Sequence, residues 1–200
     1  MKVKDILTLA IKLLDKKELL SHSIFLPQPP QEIEESPLDK EIEDLLFCFN
    51  LIYDEIATDF MPLIHTEKIF FENGEFEFKN LEKTMLDIFA LTDTNGRKIK
   101  FKTYPDKLLC NQKEAVITYS YQPNKLGFED EIALFQSRVP ARVFAYGVAM
   151  ENCFLNSLST EALIWENRYK NSLLTLTRKK TEVVLPARRW IWCLPQKDCF

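Results

Sequence analysis

Apolar residues recur along this chain with two different spacings, and the changes of spacing divide it into three stretches. Val3, Ile6, Leu7, Ala10, Leu13 and Leu14 fall three and four apart, which predicts an amphipathic helix over about 3–20. Ser21 to Pro30 then carries Pro27, Pro29 and Pro30 and reads as a linker or wrapped loop, 21–36. Ser36-Pro37-Leu38-Asp39 supplies a cap, a first-turn proline and a negative charge where a helix begins. Leu38, Ile42, Leu45, Leu46, Phe49, Ile52, Tyr53 and Ile56 continue it as one stripe to about residue 60. Glu41, Glu43, Asp44 and Asp54 occupy the other side.

From Ile64 to Gln122 the period falls to two. Ile69-Phe70-Phe71, the Asn73-Gly74 turn and Phe76 with Phe78 predict a hairpin. Leu86, Ile88 and Ala90 alternate with Asp87, Phe89 and Leu91, and Asn95-Gly96 leads on to Ile99, Phe101 and Thr103. Val116, Thr118 and Ser120 alternate with Ile117, Tyr119 and Tyr121 in a last strand. Four to six short antiparallel strands of this kind make a small sandwich or partial barrel.

Helical spacing returns at Pro140. Val143, Tyr146 or Gly147, Met150, Phe154 and Leu158 share a face, and Ala141, Ala145 and Ala149 permit close helix contact. A break at Ser157-Leu158-Ser159 precedes a second helix to about Lys180, with Ala162, Trp165, Tyr169, Leu173 and Leu176 on one side. A short connection between them predicts an antiparallel hairpin, with Trp165 and Tyr169 against Tyr146 and Met150. The fold class expected is α+β: a helical bundle core of about four helices, an inserted small antiparallel β-module and an extended C-terminal arm. The chain reads as one domain, 1–200. N-terminal helices span 1–62, the β-rich insertion 63–125, the helical hairpin 126–180 and the arm 181–200.

Composition changes this picture little. The chain is 46% hydrophobic and 28% charged with a net charge of −4, which disfavours a general nucleic-acid binder. Four glycines leave little material for phosphate loops, and no nucleophile-elbow, P-loop, zincin or dinucleotide motif occurs. His22 and His65 read as ordinary polar residues. Cys48, Cys110, Cys153, Cys193 and Cys199 form no CxxC pair and read as reduced thiols of a cytoplasmic protein. No run approaches a membrane span or a signal peptide. The expectation is therefore no catalytic residue, no cofactor, no metal and no membrane partner.

Charge is unevenly placed. Residues 31–55 hold nine acidic groups against Lys40, a net of −8; residues 168–200 hold eight basic groups against Glu182 and Asp198, a net of +6. Opposite poles suit head-to-tail association or docking on a charged partner; alternatively, Arg178, Lys179 and Lys180 simply complement the end of their helix. The candidate interface is Arg178, Lys179, Lys180, Arg188, Arg189, Trp190 and Trp192 at one pole and Glu41, Glu43 and Asp44 at the other. Trp190-Ile191-Trp192 either folds back on the core or anchors a neighbour.

The stretch Pro140-Ala141-Arg142-Val143-Phe144-Ala145-Tyr146-Gly147-Val148-Ala149-Met150-Glu151, followed by Glu161-Ala162-Leu163-Ile164-Trp165-Glu166-Asn167-Arg168-Tyr169-Lys170, resembles the helical hairpin of head–tail connector (adaptor) proteins of tailed bacteriophages and prophages. Val3-Lys4-Asp5-Ile6-Leu7 is similar to the family's first helix, and the acidic second helix fits its layout. The long insertion from Ile64 to Gln122 departs from the smallest adaptors. The resemblance implies a non-enzymatic virion neck protein, made in the host cytoplasm. It would form a homo-oligomeric ring of about a dozen copies. That ring would join the portal protein to a downstream stopper or tail protein, with DNA passing through unread. Stopper or tail-completion proteins of the same neck are alternatives. Two rivals come from other classes: a regulator binding nucleic acid through 178–189, and a ligand domain with a pocket of Phe89, Phe101, Tyr104, Tyr119 and Tyr121, residues read otherwise as β-core.

Overall fold

The computed structural model describes residues 1–25, 37–132 and 139–181. Helix α1, Val3–Leu13, buries Val3, Ile6, Leu7 and Ala10 as their spacing predicts, together with Ile11, while Leu13 and Leu14 are only half-buried. It ends earlier than expected. Asp15 turns to a left-handed φ of 55°, a conformation that short polar Asp tolerates, and Lys17–Ser21 follow as 3₁₀ turns. Helix α2, Pro37–Glu55, runs on through a wider π-type turn, Ile56–Phe60, closed by the Met61 amide on the Ile56 carbonyl at 2.7 Å. Its stripe of Ile42, Leu45, Phe49, Ile52, Tyr53 and Ile56 is buried. Each such side chain contributes roughly 1.5–3 kcal/mol when removed from water.

Helix α3, Ala141–Leu155, is the central element and packs on α1, α2 and α4. Ser157, at φ 59°, reverses the chain into α4, Ser159–Thr181, so the antiparallel hairpin forms as its spacing predicts. Ala162, Tyr169 and Leu173 are buried, and Trp165 stacks on Tyr146 with ring centres 5.9 Å apart. Phe154 and Leu158, expected on the core face, are instead exposed. They sit at the hairpin's tip, beyond the reach of the helices that cover Val143 and Met150. No helix among the described residues is long and apolar enough to cross a membrane.

The β-module consists of β1 (Ile64–Phe70), β2 (Glu75–Glu77), β3 (Met85–Thr92), β4 (Lys102–Thr103), β5 (Lys107–Leu109) and β6 (Glu114–Tyr121). Two antiparallel three-stranded sheets result, ordered β1-β6-β3 and β2-β5-β4. The fold is α+β with a helical core, as expected. The 69–78 hairpin needs correction. Its turn forms, with Asn73 and Gly74 at φ 53° and 81°, but only one bridge, Glu72 to Glu75, closes it. β1 pairs instead with β6, whose apolar residues on both faces earn it the central position, and β2 pairs with β5.

Ile69, Phe71, Leu91, Leu108, Ala115, Ile117 and Tyr119 form the module's core. Phe89, Phe101 and Tyr104 do not join it; they are 52%, 37% and 45% exposed. Register shifts fall in β3 at Leu86, between Met85 and Asp87, and at Phe89 itself, between Ile88 and Ala90, and break the strict alternation the residue pattern implied. The module rejoins the helices through 126–132, where the Val3 amide donates to the Asp130 carbonyl at 3.1 Å and the Ile132 amide to Met1 at 2.9 Å.

Candidate interaction surface

Helix α2 has two apolar sides. One is core. On the other, Phe47 and Leu51 stand in solvent, 51% and 43% exposed, four residues apart on one helical face. The 122–128 strap runs beside them, and Asn50 fixes it: its Nδ2 donates to the Leu126 carbonyl at 3.0 Å, and the Leu126 amide donates to its Oδ1 at 2.8 Å. Between helix and strap lies a groove of about 460 Å³, lined by Leu46, Phe47, Leu51, Tyr53 and Phe128 and edged by Glu43 and Asp54. Lys125 and the polar Asn50, Gln122 and Asn124 also line it, so its rim carries both signs of charge and its apolar floor suits a segment carrying aromatic side chains.

The acidic candidates do not act as one cluster. Glu43 is exposed at the groove. Glu41 is engaged by Lys16 Nζ at 2.9 Å, an ion pair that ties α2 to the end of α1. Asp44 is half-buried and adds to the forces acting on Cys48. That thiol is pushed up to about 12, first by burial, then by the Glu151 and Asp44 carboxylates, so it is neither nucleophile nor ligand at neutral pH. The backbone of α4 carries Arg178, Lys179 and Lys180 in its last turn, and their side chains lie outside the described part. Arg188, Arg189, Trp190 and Trp192, with Cys193 and Cys199, fall in 182–200, outside the described residues.

His22 is a structural residue. Its Nδ1 accepts the Ile24 amide at 3.3 Å while Nε2 faces Asp39 of α2, so the ring clips the 3₁₀ segment to the following helix. Acceptance at Nδ1 requires that the proton sit on Nε2, where it can be donated to the carboxylate.

A second exposed apolar set was not anticipated. At the hairpin tip Phe154, Leu155 and Leu158 are 46–52% exposed, and along α4 Leu163, Ile164 and Leu174 lie off the buried stripe at 55%, 53% and 49%. Residues 163 and 174 are eleven apart, three turns, and so share a face. The available signal was α4's surplus of apolar residues beyond the single stripe its hairpin packing needs.

No protein-family model matches the chain, and no curated protein does so either.

Proposed function

We propose that the protein is a structural subunit of a tailed-phage neck, assembling head to tail into a ring between portal and tail that continues the DNA channel. The observation that carries this reading is the two-sided hairpin. The α3–α4 pair, whose residues resemble those of head–tail connectors, buries one face in the core and holds Leu163, Ile164 and Leu174 in water. A closed head-to-tail ring needs two different surfaces on each copy, each complementary to the other. The outer face of α4 supplies one, and the groove beside α2, with Phe47 and Leu51, supplies another. The net −8 of residues 31–55 against the net +6 of 168–200 favours ordered, same-direction contact.

Electron microscopy and light scattering of the purified full chain, alone and with a cognate portal protein, test this. Rings are expected, and Leu163→Asp with Ile164→Asp should abolish them without changing the circular dichroism spectrum. A chain that stays monomeric at every concentration, with portal present, rules the reading out.

A further inference from the structure

Two elements of the β-module bring a nitrogen and two carboxylates to one spot. His65 and Glu67 stand two apart on β1 and therefore face the same side of the sheet. Glu82 arrives from the connection that leads from one sheet to the other, ahead of β3. His65 Nε2 lies 2.9 Å from Glu82 Oε2. Glu67 Oε1 accepts the hydroxyl of fully buried Tyr119 at 2.6 Å and the Glu82 amide at 3.2 Å, while its Oε2 takes no hydrogen bond among the described residues. One donor atom from each of the three residues lies within 4.8 Å of the other two.

We propose that His65, Glu67 and Glu82 form a binding site for a divalent zinc-class cation, with water completing the coordination. A simple ion pair accounts for His65 and Glu82; Glu67 is held through Oε1 by the Tyr119 hydroxyl and the Glu82 amide, and no cationic side chain among the described residues pairs with it. Two carboxylates converge here, and among the described residues neither has Lys or Arg within ion-pair distance; the nearby Lys83 amine is turned over the Tyr121 ring, 4.1 Å from its centre. A dication supplies the missing charge.

The surroundings also resemble a supporting shell. Tyr119, directly opposite His65 in the β1–β6 register, positions Glu67 by its hydroxyl. That hydroxyl donates to Glu67 Oε1 and accepts the Lys83 amide at 3.3 Å, so it orients the carboxylate. The His65 ring is set edge-on to Tyr119 and Tyr121, at 5.8 Å and 6.2 Å. Imidazole with two carboxylates selects zinc-like ions over calcium or magnesium, which prefer all-oxygen sites. Bonds of about 2.0–2.2 Å place donors roughly 3.3 Å apart, so the hydrogen-bonded His65–Glu82 pair, at 2.9 Å, must open slightly to admit the ion. Glu82, with 67% of its side chain exposed, is free to make that movement. The ion would fasten β1 to the connection between the two sheets, a role independent of ring assembly.

Calorimetric titration of the chelator-treated full chain with zinc chloride tests the site, with cobalt(II) spectra reporting the ligand type. One ion per chain, a raised melting temperature, no thiolate-to-cobalt band, and binding weakened about tenfold or more by Glu82→Gln or His65→Ala are expected. Glu82→Gln alters an exposed side chain, so it keeps the test valid if His65→Ala fails to fold. Absence of binding, a thiolate spectrum, or wild-type affinity in Glu82→Gln overturns the proposal.

Discussion

Tyr169 reaches across the core to donate its hydroxyl to Glu55 Oε2 at 3.0 Å, and the pair decides how the helical core responds to pH. Burial raises the Glu55 carboxyl, the Tyr169 hydrogen bond opposes that rise, and Asp59 adds to it. Glu151 of α3 is raised as well, by burial and then by the Glu55 charge. A carboxyl whose folded value is raised binds protons more tightly in the native state. Its contribution is intact below the ordinary value of 4.5 and is lost as pH climbs through the raised folded value. At neutral pH the two charges therefore work against the fold. Glu151→Gln should melt higher than wild type at pH 7, with the advantage shrinking toward zero as pH approaches 4.5. A gain that stays constant across that range would mean that the charge is not the cause.

Between elements, α2 and α3 approach closely at Gly147. A Cβ there would stand 2.8–2.9 Å from Cδ1, Cγ2 and Cγ1 of Ile52, and two of those atoms belong to the branch point, which no rotation of the chain end relieves. Overpacking costs about 1–3 kcal/mol, whereas a helical Gly-to-Ala change returns about 1 kcal/mol of propensity. Gly147→Ala should thus lower stability in the wild type yet raise it in an Ile52→Ala background, where only the propensity remains. Chemical denaturation of the four-member cycle reads this directly; additive effects would show that the helices part freely. This contact also marks how far residue pattern reaches. The spacing of Ala141, Ala145 and Ala149 announced close helix packing, and the long stripe of α2 announced its core face, because helical period alone determines both. Strand partners were not legible, because alternation says which face a strand buries and nothing about which neighbour it pairs with. The 69–78 turn formed while its strands went elsewhere for that reason. Glu82 is fifteen residues from Glu67, and only the crossing between sheets brings it to His65.

At the scale of the whole molecule, the described helices and sheets enclose two apolar clusters, one helical and one in the β-module, with Tyr121 packed against both. Both clusters are already formed by residues before 182, and residues 182–200 lie outside the described part. That stretch nevertheless concentrates Arg188, Arg189, Trp190 and Trp192, the residue types that dominate interface energies. The groove beside α2 offers an apolar floor for aromatic side chains, with Glu43 and Asp54 as well as Lys125 at its edge. A chain without residues 186–200 should therefore fold, showing a cooperative thermal transition close to that of the full protein, and should fail to assemble. Raising the salt concentration should weaken assembly of the intact chain in the same direction, since exposed opposite charges are screened beyond about 8–10 Å at 0.1–0.15 M. The competing arrangement, with Trp190 and Trp192 covering the chain's own core, predicts a different product: truncated protein that is insoluble or melts without cooperativity. Thermal melting separates a folded product from a collapsed one, and particle incorporation reports assembly. A well-folded truncated chain that still enters particles at the normal level would remove the arm from any account of assembly.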